Sequence, residues 1–187
     1  MLPDRTLPVV TIHEPGMTEY TMRALRASRL RSAEIVFRTP FAAEAVSVAS
    51  RKFPDMAIGA GTIVNEAQCR DAIAAGAKFI VSPGFSASIA RLCEREHVDY
   101  FPGCVTPTEM MAALDFGITT VKFFPAEAYG GIGAIRALSA PFPQLSFIPT
   151  GGIGRHNMQE YLNFDRVVAI GGSFLVQEAL AAWEKRE

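Results

Sequence analysis

Short apolar runs rich in β-branched and aromatic residues recur along the chain, separated by stretches whose apolar positions have helical spacing. Strands are predicted at LPVVTI (from Leu7), AEIVFR (from Ala33), MAIGAG (from Met56) and FIVSPG (from Phe79). Four more follow at DYFPGC (from Asp99), TTVKFFP (from Thr119), LSFIPTGG (from Leu145) and RVVAIGGS (from Arg166). They return every ~20 to 26 residues, the interval of repeated strand–helix units. Between them, Thr106-Pro107-Thr108-Glu109 combines an N-cap Thr, a Pro at the first helical position and a Glu at the third, a capping box. Met110, Met111 and Leu114 then form the expected buried face. Asn65 with Gln68 opens another helix, closed around Gly76, and Phe41, Ala45, Val48 and Ala49 make one stripe between Phe41 and Phe53. Val176, Leu180 and Trp183 come together on a last helix.

Eight strands alternating with eight helices, with no linker-like stretch, leave few topologies. A closed (β/α)8 TIM barrel comes first, and an open doubly wound sheet is the alternative. Such barrels typically take about 250 residues. A chain of 187 residues therefore needs minimal loops, and a single domain over residues 1–187 is expected.

Composition narrows the function. Hydrophobic residues are 49% of the chain and mean hydropathy is +0.18, ample for one sizeable core. Charged residues are 20% with a formal net charge of −1, so no basic excess exists to neutralise a nucleic-acid backbone. Three scattered cysteines (Cys69, Cys93, Cys104) suggest neither a disulfide framework nor a zinc site, and His13, His97 and His156 lack metal-ligand spacing. No metal and no cofactor are expected. The N-terminus has no cationic flank ahead of a long apolar run, and no uncharged run has membrane-spanning length, so a cytoplasmic setting is expected.

Of four lysines, Lys52 and Lys185 fall in charged helix ends and Lys78 starts a strand. Lys122 alone sits inside an apolar strand, near the carboxyl end where barrel active sites lie. Alternation puts Thr120, Lys122 and Phe124 on one face. Desolvation beside an aromatic ring favours the neutral amine, the form that attacks a carbonyl. Taken alone, Lys122 could equally snorkel outward or pair with a buried carboxylate. On the second strand Glu34, Val36 and Arg38 share one face and Ile35 and Phe37 the other. If the apolar face meets the helices, Glu34 and Arg38 point into the barrel, where charges are costly unless paired or used. They are then either a structural ion pair or a proton-transfer carboxylate with an arginine that grips a substrate carboxylate.

Glycines close the seventh and eighth strands, in Pro149-Thr150-Gly151-Gly152 and Gly171-Gly172-Ser173. In barrels the loops at these positions frequently bind phosphate through backbone N–H groups. Gly59-Ala60-Gly61-Thr62 and Ser82-Pro83-Gly84 close strands three and four, as ordinary turns or as a pocket floor that Thr62 lines.

Together, AEIVFRT, AIGAGTIVN, FIVSPG, FPGCVTPTEMM, VKFFPAEAYGG, FIPTGGI and AIGGSFLV resemble the bacterial 2-keto-3-deoxy-6-phosphogluconate and 4-hydroxy-2-oxoglutarate aldolases, a class I group. The resemblance implies a trimeric barrel in which Lys122 forms a Schiff base with a 2-keto acid sugar phosphate and Glu34 is the acid/base. It implies that Arg38 and Thr62 contact the keto-acid end, and that Pro83 and Phe124 line the pocket. It also implies that Thr150, Gly151, Gly152, Gly172 and Ser173 hold the distal, phosphorylated end, with pyruvate as one product. Three departures stand out: Val36 replaces the usual Thr, no helix precedes the first strand, and the final helix is short. Competing functions are a metal-dependent sugar-phosphate barrel, which lacks its His/Asp ligands here, and a non-catalytic sugar-phosphate binder, which has no use for an inward Lys–Glu pair. Decarboxylation of oxaloacetate through the same lysine is a third.

Overall fold

The computed structural model describes residues 2–186. Among them, eight strands alternate with eight α-helices: β1 (Thr6–Val10), α1 (Met17–Ala27), β2 (Ser32–Val36), α2 (Ala42–Lys52), β3 (Ala57–Gly61) and α3 (Glu66–Ala74). These are followed by β4 (Phe79–Val81), α4 (Ala87–Arg95), β5 (Asp99–Phe101), α5 (Pro107–Asp115), β6 (Thr120–Phe123) and α6 (Gly131–Ser139). The order ends with β7 (Ser146–Pro149), α7 (Met158–Leu162), β8 (Ile170–Gly172) and α8 (Phe174–Glu184). All pairing is parallel. Six strands form one curled sheet in the order β5-β4-β3-β2-β1-β8, and β6 pairs with β7. Isolated parallel bridges join Gly103 to Lys122, Phe147 to Val167 and Thr150 to Gly171, so the β6–β7 pair connects toward β5 on one side and β8 on the other.

The alternation of each strand divides its residues between two layers. Outward residues such as Val10, Ala33, Ile35 and Ile58 pack with Met22, Leu25, Val46 and Ala49 of the helices. Val121, Phe123 and Phe147 do the same with Ile135 and Tyr161. A smaller inner cluster gathers Leu7, Phe79, Val81, Phe101 and Ile148 from β1, β4, β5 and β7 with Ala169, just ahead of β8. Parallel strands buried on both faces carry apolar residues at nearly every position, which is why the runs were visible in the sequence.

Helix starts follow their local chemistry. The Asn65 side chain accepts from the Gln68 amide, and Thr106 with Glu109 completes the capping box. Gly76 takes φ +97° just beyond α3, a conformation open to glycine. Several strands end sooner than predicted. β2 stops at Val36, because the chain turns ahead of Thr39-Pro40, where proline restricts the preceding residue. Phe37 and Arg38 lie in that turn. Phe124 likewise falls one residue beyond β6, and Arg166–Ala169 precede β8, with Arg166 donating to the Ser139 and Phe142 carbonyls at 2.7 and 2.8 Å. Met111, expected in the core, is 59% exposed. Met110 and Ala113 occupy the buried stripe, and Met111 projects about 100° away from Met110 around the helix. No helix among the described residues is long and apolar enough to cross a membrane.

Candidate active site

Lys122 stands in register with Ile148 of the inner cluster, while its neighbours Val121 and Phe123 face the helices. Its side chain therefore points inward, and only 4% of the residue is exposed. Lys122 Nζ donates to Glu34 Oε1 at 3.3 Å and lies 5.0 Å from the centre of the Phe124 ring. Glu34 is itself 1% exposed, and its second oxygen, Oε2, is buried with no protein partner. A carboxylate held this deep retains an acceptor position that a substrate hydroxyl or a water can fill.

On the neighbouring strand Gly61 makes room for this pair, and Gly59 for an inner ring. A Cβ at Gly61 would lie 2.0 Å from Glu34 Oε1, and one at Gly59 would lie 2.1 Å from the Phe79 ring. The side chain at 61 is missing where the carboxylate needs to be. Val36, in register with Gly61, is fully buried.

Past the strand ends the remaining candidates gather on the same side of the sheet. Arg38 Nε donates to Thr62 Oγ1 at 3.0 Å. Thr62 holds φ +56°, a left-handed conformation costly for a β-branched residue and characteristic of functional sites. Pro83 follows β4, where its carbonyl fits against Gly103: a Cβ there would come within 2.0 Å of it. Beneath, Ser82 Oγ and the Tyr100 hydroxyl share a hydrogen bond of 2.6 Å, and burial pushes the Tyr100 phenol up, so it keeps its proton. Thr150 bridges to Gly171; its Oγ1 is buried without a partner and would lie 2.2 Å from a Cβ at Gly171. Gly151 and Gly152 take φ of +100° and +77°. Gly172 ends β8, and the exposed Ser173 opens α8 with its hydroxyl free of any capping bond. The carboxyl ends of the parallel strands thus carry a buried amine paired with a carboxylate and, beyond the strand ends, an arginine and two glycine turns.

The profile of the KDPG and KHG aldolase family matches residues 2–186. This chain belongs to that family. The aldolase is 42% identical over 172 residues to the 2-dehydro-3-deoxy-phosphogluconate aldolase of Treponema pallidum, covering 92% of this chain and 82% of that one. It superimposes with a TM-score of 0.89 on the KDPG aldolase of Legionella pneumophila, 36% identical over 95% of this chain and 93% of the other. That structure holds pyruvate captured at low pH as a covalent carbinolamine intermediate. A 2-keto-3-deoxy-6-phosphogluconate aldolase of Zymomonas mobilis, solved with 3-phosphoglycerate, gives a TM-score of 0.90 at 32% identity, covering 95% and 88% of the two chains.

The polar side chains of this candidate site stand out in the sequence, whereas the glycines that accommodate them do not. Gly61, Gly103 and Gly171 had no assigned partner, since each relation crosses to another strand or loop. The alternating Gly59-Ala60-Gly61 was the one visible signal, a strand with its inward side chains removed. Among the described residues no three His, Cys, Asp or Glu side chains gather in a way that could hold a metal ion.

Proposed function

We propose that the chain is a class I aldolase that cleaves 2-keto-3-deoxy-6-phosphogluconate to pyruvate and glyceraldehyde 3-phosphate through a Schiff base on Lys122. The 3.3 Å contact between the buried Lys122 amine and the buried Glu34 carboxylate carries this reading. The neutral amine adds to the C2 ketone, giving a carbinolamine. Glu34, having taken the proton that leaves Lys122 a neutral amine, returns it to the carbinolamine hydroxyl, which departs as water and leaves an iminium beside the Glu34 carboxylate. Glu34 accepts the C4 hydroxyl proton, directly or through a water, as the C3–C4 bond breaks. The electron pair flows into the iminium, giving an enamine, and C4 departs as the aldehyde. Protonation at C3 and hydrolysis release pyruvate and regenerate the amine. The pyruvate carbinolamine of the Legionella relative supports this sequence.

Arg38, held by Thr62, grips the C1 carboxylate as a charge-assisted donor. Phe124 and Pro83 line the reacting end. Thr150, Gly151, Gly152, Gly172 and Ser173 receive the distal end, with backbone amides and the Ser173 hydroxyl on the phosphate. The 3-phosphoglycerate of the Zymomonas relative, a phosphorylated three-carbon acid, supports a phosphorylated distal end. 4-Hydroxy-2-oxoglutarate, which the family's description also includes, fits the same lysine, giving pyruvate and glyoxylate. The eight strands form one closed (β/α)8 domain, a proposal supported by the bridges at Gly103–Lys122 and Thr150–Gly171. We further propose a cytoplasmic homotrimer; the exposed apolar side chains Met17, Val64, Met111 and Tyr129 suit a buried interface.

Borohydride trapping with pyruvate, read by intact mass and peptide mapping, tests the chemistry. The expected product is a reduced pyruvate adduct on Lys122, absent from Lys122→Ala. No adduct on the folded wild-type protein would refute the mechanism and leave a sugar-phosphate binder.

A further inference from the structure

The two glycines proposed for the distal end are held from both sides by residues that no step above uses. On one side, the Glu127 amide donates to the Gly151 carbonyl at 3.1 Å. The Glu127 side chain occupies the place that a side chain at 152 would take: a Cβ there would lie 2.6 Å from Glu127 Cβ and Cγ. Its carboxylate accepts a hydrogen bond from the Tyr161 hydroxyl. Tyr161, 1% exposed, sits on α7, the helix that follows the glycine turn. Burial and the adjacent Glu127 carboxylate push the Tyr161 phenol up, so it remains a donor at any physiological pH. Gly131, at φ +61°, leaves space for the contact; a Cβ there would lie 3.2 Å from both Glu127 Oε1 and the Tyr161 hydroxyl. On the other side, Asn157 Nδ2 donates to the Gly152 carbonyl at 3.2 Å and Asn157 Oδ1 accepts from the Gly154 amide at 2.9 Å.

A carboxylate beside an anion-binding turn is unfavourable unless its charge is directed elsewhere. Here the buried phenol takes one carboxylate oxygen, while the rest of the Glu127 side chain packs against Gly152. We propose that Glu127 and Tyr161 are positioning residues that aim the Gly151–Gly152 amides at the substrate's phosphate and thereby set the preference for phosphorylated over non-phosphorylated 2-keto acids. The proposal rests on the aldolase reading above and deepens it. Backbone amides reward an anion only when they are fixed before it arrives. Removing the Tyr161 hydroxyl loosens the turn and frees the Glu127 charge to face the phosphate, two effects of the same sign. Glu127→Gln removes the charge but keeps an oxygen that accepts from Tyr161.

Steady-state cleavage of 2-keto-3-deoxy-6-phosphogluconate and of 4-hydroxy-2-oxoglutarate separates the possibilities. Tyr161→Phe should raise KM for the phosphorylated substrate about tenfold, with kcat within about twofold, as expected for one lost charge-assisted hydrogen bond. Both constants for the non-phosphorylated substrate should stay unchanged. Glu127→Gln should remain within about threefold of wild type, and Glu127→Ala, at an exposed position, should raise the same KM by less than Tyr161→Phe, because it loosens the turn without turning a charge toward the phosphate. Binding of inorganic phosphate, followed by calorimetry, should weaken in parallel, a readout that needs no catalysis. Equal losses on both substrates, or phosphate binding unaltered in Tyr161→Phe and Glu127→Ala, would overturn the proposal. Failure of the aldolase reading appears separately, as a wild-type protein that forms no pyruvate adduct.

Discussion

Replacing Gly61 by alanine adds one methyl group and should disable the enzyme. That Cβ would lie 2.0 Å from Glu34 Oε1 and 2.5 and 2.6 Å from Cγ and Cδ, whereas ordinary contact begins at 3.4 Å. The carboxylate oxygen must therefore retreat by about 1.4 Å, the difference between 3.4 and 2.0 Å. Glu34 is 1% exposed and its strand is buried throughout, so the retreat can only go toward Lys122 and the position that substrate is to occupy. Overpacking of this kind costs about 1–3 kcal/mol. The retreat also strains the 3.3 Å contact with Lys122 Nζ, the geometry on which proton transfer depends. General acid–base catalysis contributes about 10²- to 10⁴-fold, and most of it should be lost from kcat. Gly133→Ala is the matched control: nothing lies within 4 Å of a Cβ there, and alanine inside α6 should stabilise by about 0.5–1 kcal/mol. Thermal unfolding and a coupled assay for pyruvate release would be run on both variants. A Gly61→Ala enzyme with wild-type kcat would refute the assignment of Glu34 as the proton carrier.

Other outcomes follow from the same geometry. Thr62→Gly should relieve the left-handed strain at φ +56° and raise stability by about 1 kcal/mol, while KM for the keto acid rises because Arg38 loses its partner; a lower melting temperature would contradict the strain argument. Burial pushes the Cys104 thiol up to about 12, so iodoacetamide at pH 8 should leave Cys104 unmodified in the folded protein and alkylate it in urea, as peptide mapping would show. The Arg155 guanidinium hydrogen-bonded to Glu178 holds that carboxyl below its usual 4.5. A depressed carboxyl stabilises the fold above the unfolded-state value, and the effect fades as pH falls through the folded one. Glu178→Gln should therefore lower stability at pH 7 by less than about 1 kcal/mol, since both groups are solvent-screened, and the difference should shrink as pH falls through the carboxyl's depressed folded-state value; a gap that does not shrink as the carboxyl protonates would rule out the ion pair as its cause.

Much of this was legible in the order of residues because it is encoded locally. The capping box of Thr106 and Glu109, the Asn65 cap and the glycine at 76 each depend on neighbours within a few positions, and the structure realises all three. The inward direction of Lys122 and Glu34 followed from strand alternation, which needs only the strand itself. Boundaries were less legible. Arg38 and Phe124 continue the apolar alternation on paper, yet the chain has already turned, at Thr39-Pro40 in one case and at Pro125 in the other. Met111 shows the limit of reading a run of apolar residues as a face, since the helix turns by about 100° per residue. Least visible were the relations across strands. Nothing near Gly61 in the chain announces Glu34, and nothing near Gly171 announces Thr150, because sheet register alone makes them neighbours.

Those cross-strand fits constrain how such a site can change over generations. Glu34 with Gly61 and Thr150 with Gly171 each consist of a protruding side chain and an absent one. A larger residue at either of these glycines is barred while its partner stays. Shrinking Glu34 or Thr150 opens a void that only a second substitution on the adjoining strand refills. The inherited unit is therefore the pair, and a redesign that aims at a new substrate should randomise both members together, because a change at one member alone leaves a clash or a void.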